Sequence, residues 1–166
     1  MSSTWFKHTV LFLLLAFLQV TLFNRIHILG YATPLLYVYS IIKMPVDMNR
    51  NLVLLLSVLM GFIVDIFDFT LGLNMLACTL TGFSRFYFLK LFSPRDLIES
   101  VSPSFRSFGK GLFIRYASVV TFIHIMIVYF TESLTLFDPL HLIYRIVGSF
   151  LITIVLIFAV ESLNWD

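Results

Sequence analysis

The segment GFIVDIFDFTLGLNM, Gly61–Met75, is where an apolar helix ends, the chain turns, and a second apolar helix begins. It follows Leu52–Met60, which carries no charge, and it holds two aspartates, Asp65 and Asp68. Residues three apart in a helix share one face. An ionised carboxylate at the centre of a membrane-spanning helix costs roughly 2.5–3.5 kcal/mol on insertion scales. Each aspartate therefore needs water or a partner inside the protein.

The composition indicates an integral membrane protein. Of the 166 residues, 60% are hydrophobic and 12% are charged, whereas soluble domains are nearer half apolar and a quarter charged. The polar residues are too few to cover a water-soluble protein of this size. The net charge of +2 is too small to indicate nucleic-acid binding. The only cysteine, Cys78, lies in an apolar run, so it is a packing residue rather than half of an intramolecular disulfide.

We predict one all-α membrane domain, residues 1–166, with about six transmembrane helices. The N-terminal apolar run lacks a small-residue cleavage site, so it is read as an uncleaved first helix. The second segment is broken by Pro34, which makes it either irregular or shielded by its neighbours, and five crossings are the alternative to six. The six segments are His8–Phe23, Leu29–Ile42, Leu52–Phe67, Leu71–Leu89, Leu112–Thr131 and Leu140–Val160.

The distribution of Lys and Arg predicts that both termini face the cytoplasm. Only Arg25 and Arg145 fall on the outer side. The longest loop, residues 92–111, is basic and cytoplasmic, and it is a solvated loop, a segment lying on anionic headgroups, or a docking site for a cytoplasmic partner. The cations on the cytoplasmic side are Lys7, Lys43, Arg50, Lys90, Arg95, Arg106 and Lys110.

The depth of each polar residue in the membrane can be calculated from the rise per residue of its helix. At 1.5 Å per residue, Asp65 lies roughly 21 Å along the third span, and Arg85 lies roughly 21 Å along the fourth, which runs the opposite way. They approach opposite surfaces and are not expected to pair. The candidate partners of Asp65 at the outer level are Arg25, His27, His141 and Arg145. At the inner level a second polar cluster is expected from Arg85, Arg115 and Glu161.

The turn DFTLGLN has the residues of a tight outer hairpin. We expect Asp68 and Thr70 to bond free backbone amides, Gly72 to take an unusual dihedral angle, and Asn74 to cap the next helix. Asp65 lies one turn deeper and is expected to have a structural or interaction role. His124, near the middle of the fifth span, is expected to bond across helices rather than to ligate a metal.

No catalytic, cofactor or metal site is predicted. The sequence has no glycine-rich phosphate loop, no HExxH motif and no GxSxG motif. An aspartyl dyad needs two carboxylates that share a proton, and two aspartates three apart on one helix do not specify that arrangement. We therefore expect a protein that is not an enzyme.

The segment Gly61–Met75 resembles the MreD family of bacterial rod shape-determining membrane proteins. The resemblance lies in a Gly, an Asp four residues later, a short polar turn, and Gly-Leu leading into the next helix. It continues in ACTLTGFSRFYFLKLF, where Arg85 closes the helix, although Phe86 follows it where the family commonly has proline. The piece ATPLLYVYSIIKMP is similar to the second span of the family, with Pro34, Tyr37 and Pro45.

This resemblance implies a non-enzymatic, multi-pass component of the cell-elongation complex in the bacterial cytoplasmic membrane. Its implied partners are MreC, RodA, a class B penicillin-binding protein and MreB on the cytoplasmic side, together with membrane lipid. It would support lateral peptidoglycan synthesis and cell shape. Contact with MreC is expected through small residues such as Gly61, Ala77 and Gly82, with Asp65 in a buried polar contact.

The resemblance also implies a fold similar to the substrate-binding subunits of energy-coupling factor transporters, which have six membrane helices. Such a transporter subunit is the alternative function. It would need an outward-facing polar pocket, for which the candidates are Asp65, Asp68, Asn74, His27 and Arg145.

Overall fold

The computed structural model describes residues 2–22, 32–70, 72–92, 101–133 and 139–163. Its described part contains five long helices: α1 (Ser2–Thr21), α3 (Arg50–Asp68), α4 (Leu73–Phe92), α6 (Lys110–Ser133) and α7 (Pro139–Leu163). Two short helices, α2 (Val38–Ile42) and α5 (Phe105–Phe108), lie between them. In space α1 packs on α3, α3 on α4, α4 on α6, and α6 on α7.

Three of these helices are long and apolar enough to cross a membrane: α3, α6 and the Leu140–Leu163 part of α7. In α1 the stretch Val10–Thr21 is a shorter apolar helix. The prediction of an all-α protein with membrane-spanning helices is confirmed at this level. The long helices begin and end within a few residues of the predicted limits, except that α1 begins well before His8.

Helices α3 and α4 form a closely packed antiparallel hairpin. The Asn49 side chain caps α3 by accepting from the Asn51 amide at 3.1 Å, and α3 ends where Phe69 takes a left-handed conformation (φ 55°). At Gly61 an added Cβ would lie 2.5 Å from the Asn74 carbonyl oxygen and 2.6 Å from the Met75 nitrogen. Only glycine allows the two backbones to come this close.

The predicted second span is not a continuous helix in its described part. Residues 32–37 are irregular, and only Val38–Ile42 is helical. Pro34 accounts for this, because it lacks an amide donor and restricts the residue before it. The described part is therefore irregular, which was one of the two alternatives, and it is also enclosed by its neighbours. We call residues 32–48 the central segment.

The central segment lies inside the protein, and its side chains belong to two separate apolar clusters. Leu35, Tyr37, Ile41 and Met44 pack in one cluster with residues such as Met60, Ala77 and Ile125. Leu36, Val38, Tyr39 and Ile42 pack in the other with residues such as Phe113, Tyr116 and Ile157. The central segment therefore joins the two halves of the core.

The surface of the protein is apolar, unlike that of a soluble protein. Large apolar side chains are exposed along every long helix, among them Phe17, Leu55, Phe83, Phe130 and Leu151. Extensive exposed apolar surface marks contact with a membrane or a partner. The buried polar side chains, in contrast, are Gln19, Ser40, Ser57, Asp65, Asn74, Thr81, Arg85, Thr121, His124, Ser149, Thr153 and Glu161.

The described end of the basic loop, residues 101–109, is folded against the protein. Ser104 and Ser107 form a capping box at the start of α5. Phe108 is buried beside Tyr116, with ring centroids 5.9 Å apart. The Val46 amide bonds the Val101 carbonyl at 3.0 Å. This part is therefore not a solvated loop, whereas residues 93–100 lie outside the described residues.

Candidate functional site

Asp65 caps the helix that follows its own. Its carboxylate accepts from the Asn74 amide at 2.9 Å and the Met75 amide at 2.8 Å, both in the first turn of α4. It also accepts from the Asn74 side chain at 3.0 Å and from the Thr70 hydroxyl. A carboxylate at a helix N-terminus bonds the free amides there and is favoured by the helix dipole. Asp65 therefore fixes the α3–α4 turn.

From Asp65 a chain of hydrogen bonds continues into the middle of the protein. Tyr37 Oη donates to Asn74 Oδ1 at 2.8 Å, and His124 Nε2 lies 2.9 Å from Tyr37 Oη. His124 Nδ1 lies 2.9 Å from Thr81 Oγ1. We call Asp65, Asn74, Tyr37, His124 and Thr81 the polar chain; it joins α3, α4, the central segment and α6.

The hydrogen bonds of the polar chain assign the tautomer of His124. Tyr37 has one hydroxyl proton, which goes to Asn74, so its oxygen must accept from His124 Nε2. With its proton on Nε2, a neutral imidazole has Nδ1 free to accept from the Thr81 hydroxyl, whose one proton also has the Ala77 carbonyl within reach at 2.7 Å. The prediction that His124 bonds across helices is confirmed.

Side chains of two helices, α1 and α7, satisfy the irregular backbone of the central segment. Gln19 Nε2 donates to the Pro34 carbonyl, and Gln19 Oε1 accepts from the Leu36 amide, both at 2.9 Å. The Thr33 amide donates to Ser149 Oγ and the Leu35 amide to Thr153 Oγ1, both at 3.0 Å. Irregular backbone at membrane depth is tolerated only where it is buried in protein and bonded.

The sequence analysis missed Gln19, Ser149 and Thr153. The signal that could have found them is their polarity within the most apolar helices, opposite a segment broken by proline. A proline-broken span leaves backbone groups unpaired, and polar side chains on neighbouring helices are the groups that can pair them.

At the other end of the central segment, the carboxylate of Glu161 accepts several hydrogen bonds. It accepts from Lys43 Nζ at 3.0 and 3.2 Å, from Tyr39 Oη at 2.5 Å and from the Phe105 amide at 3.1 Å. The predicted cluster of Glu161 with Arg85 and Arg115 is therefore wrong. The Glu161 carboxylate pairs instead with Lys43, which lies on the central segment between the helices. Arg115 is exposed.

Arg85 is fully buried and binds backbone. Its Nη2 donates to the Met44 carbonyl and, at 3.2 Å, to the Pro45 carbonyl. Its Nε and Nη1 and the Tyr116 hydroxyl have no partner in hydrogen-bonding geometry within the described part of the chain, although Tyr116 lies close enough to interact electrostatically with the guanidinium. The prediction that Arg85 does not pair with Asp65 is confirmed, and the guanidinium fixes the end of the central segment.

A pocket of about 320 Å³ opens where α3, α4, α6, α7 and the central segment converge. Arg145 Nη2 donates to both oxygens of Glu132 at 2.9 Å, and its guanidinium carbon lies 4.6 Å from the centre of the Tyr129 ring. We call this the outer pocket. Its lining residues are Thr33, Leu35, Asp68, Thr70, Leu73, Asn74, Val128, Tyr129, Glu132 and Arg145.

Several predicted roles at the turn are corrected. Arg145 pairs with Glu132 and not with Asp65, whereas Arg25 and His27 lie outside the described residues. Asn74 is inside α4 and belongs to the polar chain, so it is not the cap. Gly72 does take a positive φ, of 78°. Among the described residues, no cluster of His, Cys, Asp or Glu could hold a metal ion.

Two further predictions concerned small residues. Cys78 is buried in the core, as expected of a packing residue. Gly61, Ala77 and Gly82 are inside as well: Gly61 contacts α4, and a Cβ on Gly82 would lie 3.0 Å from Ser57 Cβ of α3. They pack the chain against itself and are not available to a partner, which corrects the expected mode of contact with MreC.

Searches against family models, curated proteins and solved structures find no match to this chain.

Proposed function

We propose that this protein is a non-enzymatic scaffold of the bacterial cell-elongation complex, in the cytoplasmic membrane. The observation that carries the proposal is the structure of Gly61–Met75, the segment that resembles the MreD family. Gly61 allows the close approach of α3 and α4, Asp65 caps α4, and Gly72 has a positive φ. The resemblance thus rests on residues with specific structural roles and not on shared hydrophobicity.

The proposal includes six membrane crossings, with both termini in the cytoplasm. The central segment supports the count, because its Thr33 end lies at the outer pocket and its Lys43 end lies at Glu161, near the last turn of α7. It would be the second crossing, buried among the five long helices. A six-crossing arrangement is also what similarity to the transporter subunits requires.

Binding of MreC would use the outward faces of the helices, since the small residues of the interior pack the chain against itself. On α7 the exposed side chains follow helical spacing and form one apolar stripe. A single membrane helix of a partner could pack there through van der Waals contacts. The members of the stripe are Leu140, Ile143, Tyr144, Val147, Leu151 and Val155.

Co-purification tests the proposal. The tagged full chain is co-expressed with MreC from the same genome, extracted in mild detergent and captured. We expect MreC to be retained by the wild type and by Gly111→Ala, where an added Cβ meets nothing within 4 Å. Retention should fall for Val147→Trp, which alters the α7 stripe. A monodisperse wild-type protein that retains no MreC would refute the proposal.

A second candidate, the substrate-binding subunit of a transporter, is favoured by the outer pocket. Three of its five expected site residues, Asp68, Asn74 and Arg145, line this pocket. Asp65 lies beneath it, bonded to Asn74 and Thr70. Calorimetric titration of the purified protein with vitamins would separate the candidates, because only the transporter subunit should bind one at micromolar concentration.

A further inference from the structure

We propose that the start of α3 binds the phosphate of an anionic phospholipid, such as phosphatidylglycerol, through the Arg50 guanidinium. The inference rests on the surface of the α3–α4 hairpin and not on a role in cell elongation. It names a lipid partner and its place on the protein, which neither of the two candidate functions specifies.

Arg50 lies at the level of the lipid headgroups. It is the first residue of α3, and α3 is long and apolar enough over its whole length to cross a membrane. The apolar part of such a helix matches the hydrocarbon core, so its first residue lies at a membrane surface. Arg50 is also exposed, so a lipid beside the hairpin can reach it.

Two aromatic rings hold the Arg50 guanidinium in place. Its central carbon lies 4.6 Å from the centre of the Phe83 ring and 5.4 Å from that of the Phe86 ring, both on α4. Distances below about 6 Å are those of cation–π contacts. Such contacts fix the position of an arginine without using its N–H groups. We call Arg50, Phe83 and Phe86 the arginine site.

The Arg50 cation has no partner of opposite charge. In the part of the chain that the structure describes, it makes no hydrogen bond and no ion pair, so all of its N–H donors are available. Parallel donors on one edge of a guanidinium bind two oxygens of one phosphate. Because the charge of Arg50 is not neutralised, it favours a headgroup with net negative charge over one whose phosphate is balanced by an ammonium.

The place of Arg50 in its helix points to the same ligand. The N-terminus of a helix carries a partial positive charge, which disfavours a cation there. Arg50 nevertheless occupies the first position of α3, and the first turn has no acidic residue. The stability of α3 therefore does not account for this arginine, whereas a bound phosphate would be favoured by the guanidinium and by the helix terminus together.

An apolar stripe on α4 favours a lipid over a free phosphate. Its members are exposed and follow helical spacing: Leu76, Leu80, Phe83 and Tyr87. Phe83 belongs both to this stripe and to the arginine site. A phospholipid whose phosphate is bound to Arg50 can lay an acyl chain along α4 from Phe83 towards Leu76, a surface that a soluble phosphate does not use.

Lipid titration of the purified full chain in detergent, followed by native mass spectrometry, tests the proposal. Phosphatidylglycerol is compared with phosphatidylcholine of the same acyl chains. We expect the wild type to bind its first phosphatidylglycerol about tenfold more tightly, the effect of one charged hydrogen-bonded pair. Co-purification with MreC is measured separately, so that failure here leaves the proposed function intact, and the reverse also holds.

Three variants locate the binding. Arg50→Gln should lower the affinity for phosphatidylglycerol to that for phosphatidylcholine. Arg50→Lys keeps the charge but not the paired donors, and its affinity should lie in between. Arg115→Gln removes the same charge from an exposed position on α6 and should bind like the wild type. Thermal unfolding checks that each variant is folded.

A phosphatidylglycerol with a photoactivatable group in one acyl chain locates the lipid independently. We expect crosslinks to α4 in the wild type, and their loss in Arg50→Gln. Equal affinity of the folded wild type for the two lipids would overturn the proposal. So would equal losses in Arg50→Gln and Arg115→Gln, which would show a response to net charge alone, and so would crosslinks that do not depend on Arg50.

Discussion

Asp65 acts on α4 in the way that an N-cap residue acts on its own helix. The residue that precedes α4 is Gly72, whose carbonyl accepts from the Leu76 amide at 2.9 Å but which has no side chain to cap with. The carboxylate from the previous helix reaches the free amides instead. This arrangement requires the two backbones to be close, and Gly61 makes that possible.

Replacing Asp65 by Asn should destabilise the protein strongly. An amide has one acceptor oxygen in place of two, and its NH2 group would face backbone donors of Asn74 or Met75. Leaving buried donors without an acceptor costs about 1–3 kcal/mol each, so we expect a loss of about 2–4 kcal/mol in the free energy of unfolding. Denaturant titration in detergent micelles measures it.

The matched control is Lys90→Gln, which also replaces a charged group by an amide. Lys90 is exposed near the end of α4, and its replacement should change the free energy of unfolding by less than about 0.5 kcal/mol. Equal effects at the two positions would show that the Asp65 carboxylate does not cap α4.

Gly61→Ala should separate α3 from α4. Its Cβ would clash with backbone atoms, which cannot rotate away as a side chain can. Overpacking a core costs typically about 1–3 kcal/mol. Gly111→Ala in α6 meets open space and should stabilise by up to about 1 kcal/mol, since alanine favours helix. Thermal unfolding of both variants checks the prediction, which fails if their melting temperatures shift alike.

The sequence predicted the structural roles of some residues of the site and not of others. It separated Asp65 from Arg85 by depth, and it identified the unusual dihedral angle of Gly72, because both follow from local geometry. It assigned Asp65 to distant cations, although Thr70 and Asn74 lie in the same segment. The actual bonds depend on how closely the two helices approach, and helical periodicity alone does not give that distance.

At the scale of elements, the central segment is the unusual part of the molecule. A helix satisfies its own backbone groups, so a helix that crosses a membrane needs only apolar surface to be stable there. The central segment cannot do this, and it depends on Gln19, Ser149 and Thr153. Polar residues in α1 and α7 are therefore structural partners of another element.

Thr153→Val tests this dependence with almost no change of volume. The Leu35 amide would lose its acceptor, which we expect to cost about 1–3 kcal/mol in the free energy of unfolding. Thr79→Val is the matched control, since its hydroxyl bonds only the Met75 carbonyl of its own helix, at 2.6 Å. Hydrogen exchange at the Leu35 amide should accelerate in Thr153→Val alone. Similar unfolding and exchange in the two variants would contradict the prediction.

The long helices were predictable from the sequence, whereas the path of the central segment was not. Long apolar runs in the sequence predicted the five long helices, because length and hydrophobicity determine such helices. Most of the helix ends lie within a few residues of the predicted limits. Pro34 indicated an irregular second span. The route of that span through the interior, and hence the Lys43–Glu161 pair, was not predictable, since it depends on contacts between residues far apart in sequence.

At the scale of the whole molecule, the orientation in the membrane can be tested at two exposed residues, Asp47 and Glu132. If both termini are cytoplasmic, Asp47 lies inside the cell and Glu132 outside. In a Cys78→Ala background, which removes the only cysteine, a membrane-impermeant maleimide on spheroplasts should label Glu132→Cys. Asp47→Cys should be labelled only after the membrane is permeabilised. The opposite pattern would reverse the proposed topology.

Most of the groups that bond the central segment are synthesised long after it. Gln19 leaves the ribosome before Leu36 does, but Ser149 and Thr153 follow their backbone partners by 116 and 118 residues, and Glu161 follows Tyr39 by 122. A chain that lacks α7 therefore leaves the Thr33 and Leu35 amides of the central segment without these acceptors. We expect a premature stop before α7 to lead to degradation and not to a shorter working protein.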